Sequence, residues 1–226
     1  NAVTDFFNHL RFIILRENSY TGKLYRDDPT IMTWQLGNEP RGINNREDFT
    51  QWIENTAKYI KSMDSNHMIT IGSEGATAHP SSGNDFLVDH QSSYIDYTTI
   101  HVWVQNWGWF DPYAKESLSP AIEKATAYID EHAVLAEKLN KPVVLEEFGI
   151  SRDDNDHAIT GFVTLRDEYY SQIFTHILDK AAAGSPIAGL NFWAWGGMGR
   201  PREPQAIWNT GDDFTGDPPH EHQGWY

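Results

Sequence analysis

An α/β fold, the (β/α)8 TIM barrel present as about five βα units, is predicted by three observations. Short apolar runs alternate with helical patterns, and the runs end at about residues 38, 72, 104, 147 and 194. Steps of roughly 30 to 45 residues suit successive strand–helix units joined by right-handed crossovers. No glycine-rich phosphate turn follows any run, which argues against a dinucleotide-binding open sheet and for a barrel. Eight units usually take about 250 residues. The expectation is therefore one partial barrel domain over 1–226, lacking the first three strands and the closing helix.

Val3, Phe6, Phe7, Leu10, Ile13 and Ile14 recur at helical spacing, so the chain opens on an amphipathic helix. A strand follows at Ile31 to Leu36. Asn44 or Asn45 is placed to cap a second helix, with Glu47 and Asp48 in its first turn and a buried stripe of Phe49, Trp52, Ile53, Ile60 and Met63. His67 to Gly72 reads as the next strand. The segment from His79 to Asp85, continuing to Asp89 and His90, reads as a solvated loop leading into a short helix; its oxygen and imidazole groups fit no strong metal spacing.

Further strands are expected at Tyr97 to Val104 and Pro142 to Phe148, separated by a helix that opens at Ser119-Pro120 and runs to about Asn140. Thr164 is placed to cap the last long helix, Gly184 and Pro186 stop it, and Ile187 to Trp195 supplies a fifth strand. Gly196 to Tyr226, rich in Gly, Pro and Asp, shows no periodicity for a closing helix. Five consecutive strands leave the first and last without a neighbour, so a complementary N-terminal fragment or chain is the expected partner.

Composition narrows the function. A net charge of −15 disfavours a surface that tracks phosphates, and no nucleic-acid partner is expected. No apolar stretch approaches the roughly 20 residues of a membrane span, and Asn1 to Phe7 lacks a basic region followed by an apolar one. The absence of cysteine excludes disulfides and thiolate metal sites. Nine tryptophans, ten tyrosines and eleven phenylalanines make 13% of the chain aromatic; some belong to the core, and a polymer of neutral sugars also needs flat apolar faces to stack on.

Two glutamates carry the chemistry. Glu39, between Asn38 and Pro40, and Glu147, in Leu145-Glu146-Glu147-Phe148-Gly149, each close an apolar run. Both fall where a buried parallel strand gives way to a loop, which is where barrel enzymes keep their reacting groups. Two carboxylates on one rim are the equipment of a glycosidase, one protonating the leaving oxygen while the other attacks or positions water. Side chains alternate across a strand, so a Glu147 facing the cleft turns Glu146 away from it, towards a helix. Such a mechanism needs no metal and no cofactor.

Trp34 to Arg41, His101-Val102-Trp103, Lys141 to Gly149 and Leu190 to Gly197, four motifs in order, resemble the last five strands of glycoside hydrolase family 5. The likeness runs from about Ala2 to Tyr226, includes Tyr20-Thr21-Gly22 and Leu165 to Tyr170, and is nearest the bacterial β-mannanase branch. Relative to complete members, an early-strand arginine near the nucleophile is missing.

The resemblance implies a polysaccharide substrate, mannan or glucomannan, and a secreted, periplasmic or cell-surface location. It also implies Glu39 as acid/base, Glu147 as nucleophile and Asn38 as the residue holding the sugar 2-hydroxyl. His101, more often a core residue when it ends an apolar run, becomes a site residue by the same likeness. Trp103 stands where many relatives have a tyrosine, and its indole donates but does not accept. Trp193 matches the floor beneath the sugar at the cleavage point; Trp195 shares its face or packs on the loop. Trp107 and Trp109 lie in a loop just after a strand, placed either to line a glycan cleft or to pack on the loop itself. An endoglucanase, and an inactive glycan-binding protein on the same scaffold, are the competing readings.

Overall fold

The computed structural model describes residues 1–77, 82–156, 158, 160–194, 202, 211 and 212. Its main elements are α1 (Ala2–Ile14), β1 (Thr33–Gln35), α2 (Arg46–Met63), β2 (Met68–Thr70), α3 (Phe86–His90), β3 (Thr98–Val102), α4 (Leu118–Leu139), β4 (Val143–Phe148), α5 (Thr164–Ala182) and β5 (Ile187–Leu190). The five expected strands and all the expected helices are present. Each strand is shorter than the apolar run that announced it, although backbone pairing continues further. No helix among the described residues is long and apolar enough to cross a membrane.

The chain divides into two compact units, residues 1–99 with 135–143 and residues 100–134 with 144–226. In the first, β1 and β2 pair in parallel with Trp34 opposite Ile69. Beyond the strands, Leu36 N–H donates to the Thr70 carbonyl at 3.0 Å and Gly37 N–H to that of Ile71 at 3.3 Å. The α2 stripe Phe49, Ile53, Ala57 and Ile60 joins Ile14, Leu36, Ile69, Ile71 and Ile95 in one buried cluster. Burial of each large apolar side chain contributes about 1.5–3 kcal/mol. Trp52 and Met63 of the expected stripe are only partly buried at its margin. Helix α1 joins through aromatic contacts: Phe7 stacks on Tyr59 with centroids 4.7 Å apart.

Asn45 does precede α2, but its side chain makes no capping bond. Its backbone (φ −126°, ψ 60°) lies outside the extended geometry that aims a cap side chain at the first free N–H groups. Asn1, by contrast, caps α1 by accepting from Thr4 N–H at 3.0 Å.

The loop after α2 contains a buried ion pair. Asp64 accepts from Trp34 Nε1 at 2.6 Å and His67 Nδ1 at 2.7 Å, and from the N–H groups of Asn66 and His67 at 2.8 and 3.1 Å. On the far side of the ring, His67 Nε2 lies 2.9 Å from the Asp28 carbonyl, which can only accept. A carboxylate on one nitrogen and a carbonyl on the other require both to carry protons, so His67 is an imidazolium. Burial opposes its charge, but the bonds to Asp64 and Asp28 outweigh it and raise its pKa above 6.5. Burial likewise opposes the charge on Asp64, yet the bonds from Trp34, His67 and Asn66 hold its pKa below 3.8.

The other sheet orders its strands β3-β4-β5. Every residue of β3 is buried. Helix α4 buries Ala121, Ala125, Ile129 and Ala133 at four-residue spacing, which gathers them on one face. His132 on that helix bonds through Nδ1 to the Tyr128 carbonyl at 2.7 Å; burial pushes its pKa down to about 4 and keeps it neutral. Helix α5 buries Tyr169, Ile173 and Ile177. As expected, it stops at Gly184, whose φ of 86° suits glycine while Ser185 N–H bonds back to the Lys180 carbonyl at 3.0 Å.

His67 and Asp64 each contribute to the pH dependence of the first unit. His67 has a raised pKa, so its contribution is complete below 6.5 and is lost as pH rises through the folded value. Asp64 has a lowered pKa, so its contribution is present above 3.8 and is lost as pH falls. Urea midpoints should therefore be highest between those values and decline on both sides. The alkaline decline should shrink in His67→Gln. Asp64→Asn, which strands a buried cation, should cost about 3–5 kcal/mol near pH 6.

Candidate active site

Glu147 is the penultimate residue of β4 and is 9% exposed. The neighbouring strand β3 brings His101, fully buried, to within 3.2 Å: Nδ1 faces Glu147 Oε2. A ring N–H aimed at a carboxylate gives a charge-assisted bond that fixes the orientation of both groups. The other ring nitrogen, Nε2, faces Glu146 Oε2 at 3.9 Å. This corrects the expectation that Glu146 turns towards a helix. Strand alternation sets where Cβ points, but a glutamate side chain is long enough to bring its carboxylate back towards a neighbouring ring.

Beyond β5 the chain stays attached to β4. Asn191 N–H donates to the Leu145 carbonyl at 2.8 Å and Trp193 N–H to the Phe148 carbonyl at 3.0 Å, so Trp193 is held beside the residue that follows Glu147. Trp103, just past β3, is 8% exposed, and its carbonyl accepts from Trp107 N–H at 2.9 Å. Trp107 and Trp109 meet edge to face with centroids 4.9 Å apart, and Trp107 leans on Tyr128 of α4 at 5.3 Å. Lys124 lies 5.8 Å above the Trp109 ring. Packing against α4 thus accounts for the inner faces of both half-buried rings. Trp195 lies outside the described residues.

The loop after β4 is held from several sides. Gln105 accepts from Ser151 N–H at 3.2 Å and donates to Asn155 at 3.1 Å. Asp153 accepts from the N–H groups of Thr164 and Leu165 at 3.2 and 2.9 Å. Asp153, rather than Thr164, therefore caps α5. Thr164 is itself the first helical residue, whereas a carboxylate from the preceding loop satisfies two free N–H groups and complements the helix dipole.

In the first unit, Glu39 follows β1 with φ at 47° and donates its N–H to the Gly72 carbonyl at 2.9 Å. Asn38 beside it is exposed. Gly72 has φ of +81°, and a Cβ there would fall on the Gln35 amide and the Gly37 carbonyl. Arg41 stands 3.8 Å from Glu39 through its NH2 group, and its Nε and NH2 groups reach Glu74 Oε2 at 2.8 and 2.7 Å. The Glu74 side chain is 3% exposed, so its charge is compensated by this pair. Sequence reading passed over both Arg41 and Glu74. The available signal was position: Arg41 closes the Asn38 to Arg41 run, and Glu74 comes two residues after an expected strand end.

The segment from His79 to His90, expected to be a solvated loop leading into a short helix, divides. Residues 78–81 lie outside the described part. Asp89 and His90 are buried rather than solvated. Asp89 accepts from Arg46 NH2 at 3.2 Å and Asp85 N–H at 2.8 Å, and burial pushes its pKa up to about 6 despite those bonds. His90 bonds through Nδ1 to the Phe86 carbonyl at 2.8 Å. The apolar neighbours of α3 draw both residues inward, where they tie loops together.

Strands alternating with helices, two of them followed or ended by buried or half-buried carboxylates, place the chain in the (β/α)-barrel class. The chain belongs to glycoside hydrolase family 5: the profile described as GH family 5 beta-mannosidase-like matches residues 1–226. It is 33% identical over 204 residues to mannan endo-1,4-beta-mannosidase 4 of Solanum lycopersicum, which covers 85% of this chain and 49% of that protein. With mannan endo-1,4-beta-mannosidase 1 of Arabidopsis thaliana the identity is 31% over 218 residues, covering 85% and 49%. The solved family 5 mannosidase from Rhizomucor miehei superposes with a TM-score of 0.83 at 34% identity, covering 100% of this chain and 53% of that one. An endo-1,4-beta-D-mannanase from Thermotoga petrophila gives 0.70 at 27% identity, covering 93% and 59%. The chain thus spans about half the length of the relatives it matches, and its fold is part of a (β/α)8 barrel.

The cap on α5 is directly testable. Asp153→Ala should lower stability by about 0.5–2 kcal/mol in urea unfolding, while Thr164→Ala, which removes no capping bond, should cost less. Equal losses would contradict the assignment of the cap to Asp153.

Proposed function

We propose that this chain carries the acid/base and nucleophile of a retaining, endo-acting β-1,4-mannanase, within one partial glycosidase domain over 1–226. The observation that carries the reading is Glu147 at a strand end with the buried His101 donor 3.2 Å from its carboxylate, in a family 5 chain. Similarity to proteins named as mannan endo-1,4-beta-mannosidases supports mannan or glucomannan as substrate. An extracellular location is part of the same proposal, as is a polypeptide supplying the strands that longer relatives have.

In this reading Glu147 attacks the anomeric carbon while Glu39 gives its proton to the departing glycosidic oxygen, leaving a glycosyl ester on Glu147. Glu39 then takes a proton from water, which attacks the same carbon and releases the ester with net retention. Asn38 holds the 2-hydroxyl, Trp193 forms the floor beneath the reacting sugar, and His101 orients Glu147. Trp103, Trp107 and Trp109 are the aromatic residues proposed to border the cleft.

In a complete barrel that includes this chain, Glu39→Ala and Glu147→Ala should each lower turnover by about 10²–10⁴-fold, while Glu146→Ala keeps most of it. Azide should restore Glu147→Ala with an inverted glycosyl azide, and Glu39→Ala with a retained one on an activated aryl glycoside; the reverse pattern would exchange the two roles. Reducing-sugar release should be strong from mannan and weak from cellulose. The opposite preference would make the enzyme an endoglucanase, and release from neither would favour a binding protein.

A further inference from the structure

Trp193 is held through its backbone from two directions. Its N–H donates to the Phe148 carbonyl at 3.0 Å, and its carbonyl accepts from the Tyr170 hydroxyl of α5 at 3.2 Å. The first bond ties it to the strand that carries Glu147. The second comes from a helix, so the carbonyl side of Trp193 is fixed relative to a different element. Tyr170 has little freedom of its own. Phe148 lies edge-on to its ring at 5.5 Å and 82°, and Phe192 at 6.0 Å and 67°. Burial pushes its pKa up to about 12, against the pull of Arg166 one turn earlier, so the hydroxyl remains a donor at any working pH.

We propose that Tyr170 is a positioning residue for Trp193: its hydroxyl sets the backbone that aims the Trp193 ring. The consequence for catalysis rests on the reading of Trp193 as the sugar floor, whereas the positioning itself does not. A neighbouring residue provides the control. Tyr169 is fully buried, and its hydroxyl has no hydrogen-bond partner among the described residues. Removing that oxygen therefore takes away a desolvated group rather than a bond. Tyr169→Phe and Tyr170→Phe are the same substitution at adjacent positions, and only the second removes a bond to Trp193.

The test uses the chain labelled with 5-fluorotryptophan, with the Trp193 fluorine resonance identified by its loss in Trp193→Phe. Tyr170→Phe should shift that resonance and Tyr169→Phe should leave it in place. An unmoved resonance in Tyr170→Phe, or equal shifts in both variants, would overturn the proposal. If Tyr170→Phe does not fold, the unsubstituted chain still decides: slow exchange of the Tyr170 hydroxyl proton, read from the deuterium-induced splitting of its ¹³Cζ signal, supports the bond, and fast exchange overturns it. In the complete barrel, Tyr170→Phe should lower kcat/KM on a mannooligosaccharide about tenfold relative to Tyr169→Phe. A shifted resonance in a protein without mannan-cleaving activity would leave the positioning intact and reject the mannanase reading instead.

Discussion

Backbone pairing that continues past the ends of the strands is the constraint on which the rest depends. In the first unit it runs from Leu36 through Gly37 to Glu39, each N–H finding a carbonyl beyond the end of β1. In the second it runs through Asn191 to Trp193 along β4. A carboxylate or an indole in a free loop would sample many orientations, and fixing it would cost conformational entropy at each encounter with a ligand. Here the backbone beneath Glu39 and Trp193 is already fixed by bonds of the same kind that build the sheet, so much of that ordering cost is met on folding.

Buried charge is handled in three ways. His67 and Asp64 keep their charges because each is met by the opposite charge and by further donors or acceptors, with Trp34 completing the set. Glu74 is paired with Arg41, whose partly exposed guanidinium also stands beside Glu39. His132, bonded through Nδ1 to the Tyr128 carbonyl and deeply buried, takes the other course and stays neutral. The same residue type is charged at one position and neutral at another because the bonds to Asp64 and Asp28 outweigh burial at His67, whereas burial prevails at His132. The rule is the cost of desolvation against the supply of partners.

The sequence made the strands and long helices readable because they are written in apolar spacing, a local property. Phe49, Ile53 and Ile60 announce the face of α2 wherever the rest of the chain goes. Strand lengths were overestimated because apolar character continues into residues, such as Leu36 and Ile71, that still pair after regular strand geometry has ended. Caps and charge partners were harder. Asp153 caps a helix that begins eleven residues later, and Arg41 finds Glu74 thirty-three residues away. Neither choice has a periodic signature. Glu146 was misjudged for a related reason, since alternation predicts the direction of a Cβ and not the destination of a flexible carboxylate. His101 beside Glu147 was legible only through family likeness; chain spacing alone left it a core histidine.

Gly72 limits how this protein can diversify. Its carbonyl holds Glu39, and the space a β-carbon would need is already filled by the Gln35 amide and the Gly37 carbonyl. Neighbours such as Asn38 project to solvent and can be exchanged to alter what the rim touches, one substitution at a time. Position 72 offers no such gradual route: even alanine requires the Gln35 side chain and the Gly37 backbone to move. Selection can therefore redecorate the surface around Glu39 far more easily than it can move Glu39 itself, and the geometry of that carboxylate is inherited largely through an atom that is absent.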